Sequence, residues 1–61
     1  MDQREYEYFD RQVERMVKWV GDDWFSVGWD QMKTICEDKV VAGTLEKRFN
    51  PKTKRLEFRA L

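Results

Sequence analysis

Leu45-Glu46-Lys47-Arg48-Phe49-Asn50-Pro51-Lys52-Thr53-Lys54-Arg55-Leu56-Glu57-Phe58-Arg59-Ala60 reads as two extended arms joined by a turn, and the pairing of those arms decides the fold. Pro51, with its fixed φ, suits a turn over Pro51-Lys52-Thr53-Lys54. Asn50 then faces Arg55, Phe49 faces Leu56, Arg48 faces Glu57, Lys47 faces Phe58, Glu46 faces Arg59 and Leu45 faces Ala60. A slip of one position sets Glu46 against Glu57 and Arg48 against Arg55, and like charges directly opposed destabilise a sheet. The first register therefore wins. Because side chains alternate between faces, it gathers Leu45, Phe49, Leu56, Phe58 and Ala60 on one side and two opposite-charge pairs on the other.

Upstream, Tyr6, Phe9, Val13, Met16, Val17 and Val20 recur at spacings of three and four, which predicts one apolar face of a helix over about residues 2–20. Asp2 is placed to cap its start, and Gly21 supplies a left-handed stop. The stretch Trp24 to Val27 is too short and too aromatic for a helix and reads as a short strand. Trp29, Met32, Ile35, Cys36 and Val40 restore helical spacing, with Asp30 and Lys39 at the ends that the helix dipole favours. A second helix is expected over about residues 29–39. Val40-Val41-Ala42 reads as its break and Gly43 as the corner into a hairpin over about residues 44–60. The order helix, short strand, helix, β-hairpin predicts a single small two-layer α+β domain over residues 1–61.

This order, ending in a basic hairpin, resembles a reduced winged-helix domain. The resemblance implies that the second helix enters a DNA groove and that the hairpin touches the DNA backbone or minor groove. A full winged helix has three helices, so the stretch Phe25 to Gly28 would stand in for the third. The second helix would present Asp30, Gln31, Lys33, Thr34, Glu37 and Asp38 outward. Of these, Gln31, Lys33 and Thr34 suit base or phosphate contacts.

Charge is neutral in sum and divided along the chain. Residues 1–30 hold eight acids and four bases, and residues 31–61 hold eight bases and four acids. Most of the positive charge falls between Lys47 and Arg59. With Arg48 and Arg59 matched to Glu57 and Glu46, the free part contracts to Lys47, Lys52, Lys54 and Arg55. These are the candidate nucleic-acid contacts, with Lys33 and Gln31 as lesser contributors. The first helix, bearing Asp2, Glu5, Glu7 and Asp10, would repel a polyanion and could itself engage a basic partner.

Three Trp, four Phe and two Tyr are many for 61 residues, since a chain this short buries only about 60% of the surface its unfolded form exposes. Some rings are expected to be covered by a protein partner or by a second copy in a homodimer. Trp24, Trp19 and Tyr8 are the candidates for protein interaction, Trp24 being the one expected to be most exposed. Cys36 lies in the apolar stripe and reads as a core residue.

A lone cysteine excludes an internal disulfide and fits a reducing, cytoplasmic setting. With no His, a zinc site is not expected, and neither a metal nor a cofactor is implied. The charged start lacks the apolar region of a signal peptide, and no run approaches the ~20 apolar residues of a membrane span. No Gly-rich phosphate loop and no nucleophile beside a base suggest an enzyme. Two functions remain as expectations. One is a nucleic-acid-associated regulator that uses the basic hairpin. The other is a small phage-type or mobile-element modulator that binds and inhibits a larger host protein through aromatic or acidic surfaces.

Overall fold

In a computed structural model, which describes residues 1–61, the chain forms helix α1 (Gln3–Val20), helix α2 (Asp30–Ala42) and an antiparallel hairpin of β1 (Leu45–Asn50) and β2 (Arg55–Ala60). Helix α1 begins where expected: Asp2 Oδ1 accepts the Glu5 N–H at 2.8 Å, satisfying one of the free donors of the first turn. It ends at Gly21, whose φ of 71° suits a residue without Cβ and whose N–H donates to Val17 O at 3.0 Å. Its apolar stripe turns inward, with Val13 fully buried and Phe9, Met16, Val17 and Val20 packed around it.

Helix α2 runs three residues beyond the expected end at Lys39. The β-branched pair Val40-Val41 does not break it, because the end is set by Gly43 in the left-handed region at φ 87°. Gly43 N–H donates to Val40 O at 3.1 Å and Thr44 N–H to Lys39 O at 3.0 Å, a Schellman closure that satisfies carbonyls otherwise left free. Capping geometry outweighs the modest helix propensity of valine.

The hairpin pairs in the register that charge alone selects, from Leu45 opposite Ala60 to Asn50 opposite Arg55. The expected strand over Trp24 to Val27 contracts to one rung: Phe25 N–H donates to Phe58 O at 2.8 Å and Phe58 N–H to Phe25 O at 2.7 Å. Alternation along this short stretch still holds. Phe25 and Val27 point into the core, while Trp24 lies on the opposite side beneath the guanidinium groups of Arg48, at 4.2 Å from its ring centre, and Arg59, at 4.5 Å. Phe25 to Gly28 is thus not helical, and nothing stands in for a third helix. The architecture is α+β, and its likeness to a winged helix goes no further than element order.

The core consists of Val13, Phe25, Val27, Ile35, Cys36, Leu45 and Phe58. Both helices, the Phe25 rung and both strands contribute to it. Around the core, the acids of α1 turn toward α2. Lys39 Nζ lies 2.8 Å from Asp10 Oδ1 and 2.5 Å from Glu14 Oε1, and the Tyr6 hydroxyl donates to Asp38 Oδ2 at 2.8 Å. No buried side-chain polar atom lacks a partner. No helix is long and apolar enough to cross a membrane.

Phe58 is fully buried, and Phe58→Ala is expected to cost about 3–5 kcal/mol. For a chain of this length the total is only about 3–9 kcal/mol, so the variant should be largely unfolded by circular dichroism at 25 °C. Retention of a cooperative urea transition at the wild-type midpoint would contradict this packing.

Three groups hold their protons more tightly in the folded chain than in the unfolded one. The hydrogen bond to Asp38 raises the Tyr6 phenol, and burial pushes the Cys36 thiol up to about 11. Burial alone would lower the Lys39 ammonium, but its bonds to Asp10 and Glu14 outweigh that and raise it. Each such group stabilises the fold fully below its unfolded pKa, and the contribution is lost as pH rises through the folded value. The urea midpoint should therefore be level from neutrality to about pH 8 and fall from about pH 9 upward, first through Cys36 and above about pH 10 through Tyr6 and Lys39 as well. A midpoint that stays level to about pH 11 would refute the assignment of Cys36.

Candidate nucleic-acid interface at the hairpin tip

The turn is built by Asn50 and Pro51. Asn50 Oδ1 accepts the Lys52 N–H at 2.9 Å, and Asn50 O accepts the Lys54 N–H at 2.7 Å. Closing the loop in this way puts Lys54 at φ 58°, the one left-handed residue that is not glycine. Asn or Gly would meet that geometry with less strain, so the lysine here is not selected by the backbone. Lys52 and Lys54 flank the turn and Arg55 opens β2, and none of the three forms an ion pair.

The apolar face of the hairpin is only half used by the core. Leu45 and Phe58, toward its base, are buried, whereas Phe49 toward the tip is 59% exposed and Leu56 beside it is also exposed. Phe49, Leu56, Lys54 and Arg55 line one wall of a shallow cleft of about 330 Å³, and Val27, Gly28 and Lys33 line the other. No acid lines it. Lys33 has only a distant partner, Asp30 Oδ1 at 4.0 Å, itself almost fully exposed. The cleft thus combines an exposed aromatic face with three cations, the elements a nucleotide needs for base stacking and phosphate contact.

Other expected contacts lie elsewhere. Lys47 Nζ is held by Glu37 Oε2 at 2.8 Å, because the inward-facing side of β1 lies against α2. Gln31, two residues from Lys33, points to the other side of α2, where it is exposed beside Arg4, Glu5, Tyr8 and Phe9. Of the α2 face expected to point outward, Glu37 is taken by Lys47 and Asp38 by Tyr6, while Gln31, Lys33 and Thr34 stay exposed. Arg48 Nε bonds Glu57 Oε1 at 2.8 Å and Arg59 bonds Glu46, as the register requires. Trp24 is half-buried under those two arginines, so it is not the most exposed tryptophan. Trp19 is 89% and Trp29 62% exposed. The sequence places Phe49 on the packed face of the hairpin; in the structure that face is covered at Leu45 and Phe58 and left open at Phe49.

No group of three or more His, Cys, Asp or Glu side chains converges as a metal set would. No protein-family model, curated protein or solved structure matches the chain.

Because Lys54 occupies a left-handed position, Lys54→Gly should raise stability by about 0.5–1 kcal/mol. A urea midpoint lower than wild type would show that the lysine contributes to the fold itself.

Proposed function

We propose that this chain is a small, non-catalytic, cytoplasmic nucleic-acid-binding regulator that holds a single strand at the hairpin tip. The observation that carries the reading is the acid-free cleft in which exposed Phe49 stands among Lys33, Lys54 and Arg55. In this reading Phe49 stacks on an unpaired base, Lys54 and Arg55 contact the flanking phosphates, and Lys33 and Lys52 contribute charge from either side. A base in a duplex would not present its face to Phe49, so a single strand fits the cleft better than a double helix. The lone buried thiol of Cys36 suits the reducing compartment the reading assumes.

Binding of labelled single-stranded oligonucleotides should weaken with salt, log K falling against log[salt] with a slope of about −2 to −3 for three or four phosphates. Joint replacement of Lys52, Lys54 and Arg55 by Ala should abolish binding. Phe49→Ala should reduce affinity roughly fivefold to a hundredfold, the range expected from losing one stacked base. Lys47→Ala should leave affinity nearly unchanged, since its ammonium is already held by Glu37. Absence of binding at low salt would end this reading, and an unchanged affinity in Phe49→Ala would remove the single-strand assignment.

A further inference from the structure

The cations that form no ion pair fall into two groups: Lys52, Lys54 and Arg55 at the tip, and Arg4, Arg11, Arg15 and Lys18 on α1. The second group is spaced by seven, four and three residues and forms one stripe along the solvent side of α1, about 21 Å long at 1.5 Å per residue. Arg11 and Arg15, four apart, and Arg15 and Lys18, three apart, repel one another, which an isolated helix would not favour. The nearby acid Glu14 is drawn away to Lys39, and Glu7, exposed between Arg4 and Arg11, offsets one of the four cations, so the stripe keeps a net positive charge that is strongest from Arg11 to Lys18.

Beside the stripe lies an apolar hollow of about 190 Å³ between α1 and the start of α2, lined by Tyr8, Phe9, Gln12, Met16, Trp29 and Met32. Its aromatic walls are braced edge to face, Tyr8 to Phe9 at 5.2 Å and Phe9 to Trp29 at 5.8 Å between ring centres. Yet Trp29 is 62% and Tyr8 52% exposed. Methionines at such a surface adapt to the shape of an incoming apolar side chain. Tyr8 also borders the adjoining hollow of Arg11, Glu14, Arg15 and Lys18, where cations outnumber the acid three to one, and the one beside Arg4 and Glu5. Groove and cationic stripe are therefore one continuous surface.

We infer that this surface is a docking site for an acidic amphipathic helix of a partner protein. Apolar anchors at helical spacing fill the hollow of Tyr8, Met16, Trp29 and Met32, and carboxylates along the flank of the same helix meet Arg4, Arg11, Arg15 and Lys18. Charge complementarity selects this occupant over two others. A second copy laid antiparallel on the stripe would oppose Arg11 and Arg15 to their own counterparts. A nucleic-acid backbone would satisfy the arginines and leave the methionine-lined hollow empty. The site shares no residue with the hairpin-tip cleft and does not depend on it.

The test titrates the isotope-labelled full chain with a synthetic 18-residue helical probe, about five turns long, bearing Leu and Trp on one face and Glu along its flank. An otherwise identical probe carries Lys for Glu. The Glu probe should bind and shift the Trp29 indole and the Met16 and Met32 methyl resonances, at least tenfold more tightly than the Lys probe. Arg11→Glu with Arg15→Glu should weaken it tenfold or more with unchanged helical circular dichroism, and Met32→Glu should weaken it likewise. The Lys52, Lys54 and Arg55 to Ala variant should bind it as wild type does. Equal binding of the two probes, or shifts confined to the hairpin, would overturn the proposal. So would single-strand binding that survives the triple tip variant and is lost in the Arg11, Arg15 variant. A dimer in sedimentation that dissociates in Met32→Glu would assign the groove to a second copy and overturn it equally.

Discussion

Phe58 is where the extended parts of the chain meet. Its N–H and C=O both bond Phe25, its neighbours Glu57 and Arg59 face Arg48 and Glu46 of β1 across the hairpin, and its ring, 6.2 Å from that of Phe25, lies in the core shared with Val13 of α1 and Ile35 of α2. A backbone satisfied by Phe25 on one edge, strand neighbours paired to β1 on the other, and a side chain with no solvent exposure hold this residue in place. Register, strand order and the approach of both helices are then fixed together. With so few fully buried residues, the fold concentrates its stability at a few points instead of spreading it.

That register also sorts the charges. Once Phe58 faces inward, Arg59 and Glu57 must face outward, where Glu46 and Arg48 meet them and Trp24 lies under both guanidiniums. The outer face of the hairpin is thereby self-contained: two ion pairs laid over one aromatic ring, each cation held from two directions. On the inner face Lys47, though exposed, lies beside α2, where Glu37 pairs with it. What is left over is the tip. Four residues past the core the strands have nothing to pack against, so Phe49 and Leu56 are exposed beside the only cations of the hairpin without carboxylate partners.

The parts of the fold legible in the sequence are those decided by local rules. The hairpin register followed from like-charge exclusion, the start of α1 from Asp2 and its end from Gly21. The end of α2 is less legible, because Val40 and Val41 read as a break although the left-handed Gly43 after them is what ends the helix. Contacts between distant residues were less legible. Glu14 to Lys39, Asp10 to Lys39, Tyr6 to Asp38 and Glu37 to Lys47 each cross from one element to another, and spacing along one helix does not reveal which side chains a neighbouring element will claim. Trp24 illustrates the same limit. Its ring has two arginines to cover it, one from each strand, and no periodicity in its own segment announces them.

These cross-element pairs change what the charge distribution means. Along the sequence α1 belongs to an acidic half that should repel a polyanion. In three dimensions Asp10 and Glu14 share Lys39 between the helices, which offsets one of their two charges, and along the solvent side of α1 Arg4, Arg11, Arg15 and Lys18 outnumber Glu7. Overall neutrality is an equally poor guide. At physiological salt a charge is felt over a Debye length of about 8 Å. Asp22 lies by Glu46, Arg59, Ala60 and Leu61 at the base of the hairpin, and five residues of extended strand, about 16 Å, separate that end from Arg55. An anion at the tip is therefore screened from the acid at the base and responds to Lys52, Lys54 and Arg55, with Lys33 across the cleft. A chain with no net charge can in this way hold two separate cationic surfaces, each strong only at close range.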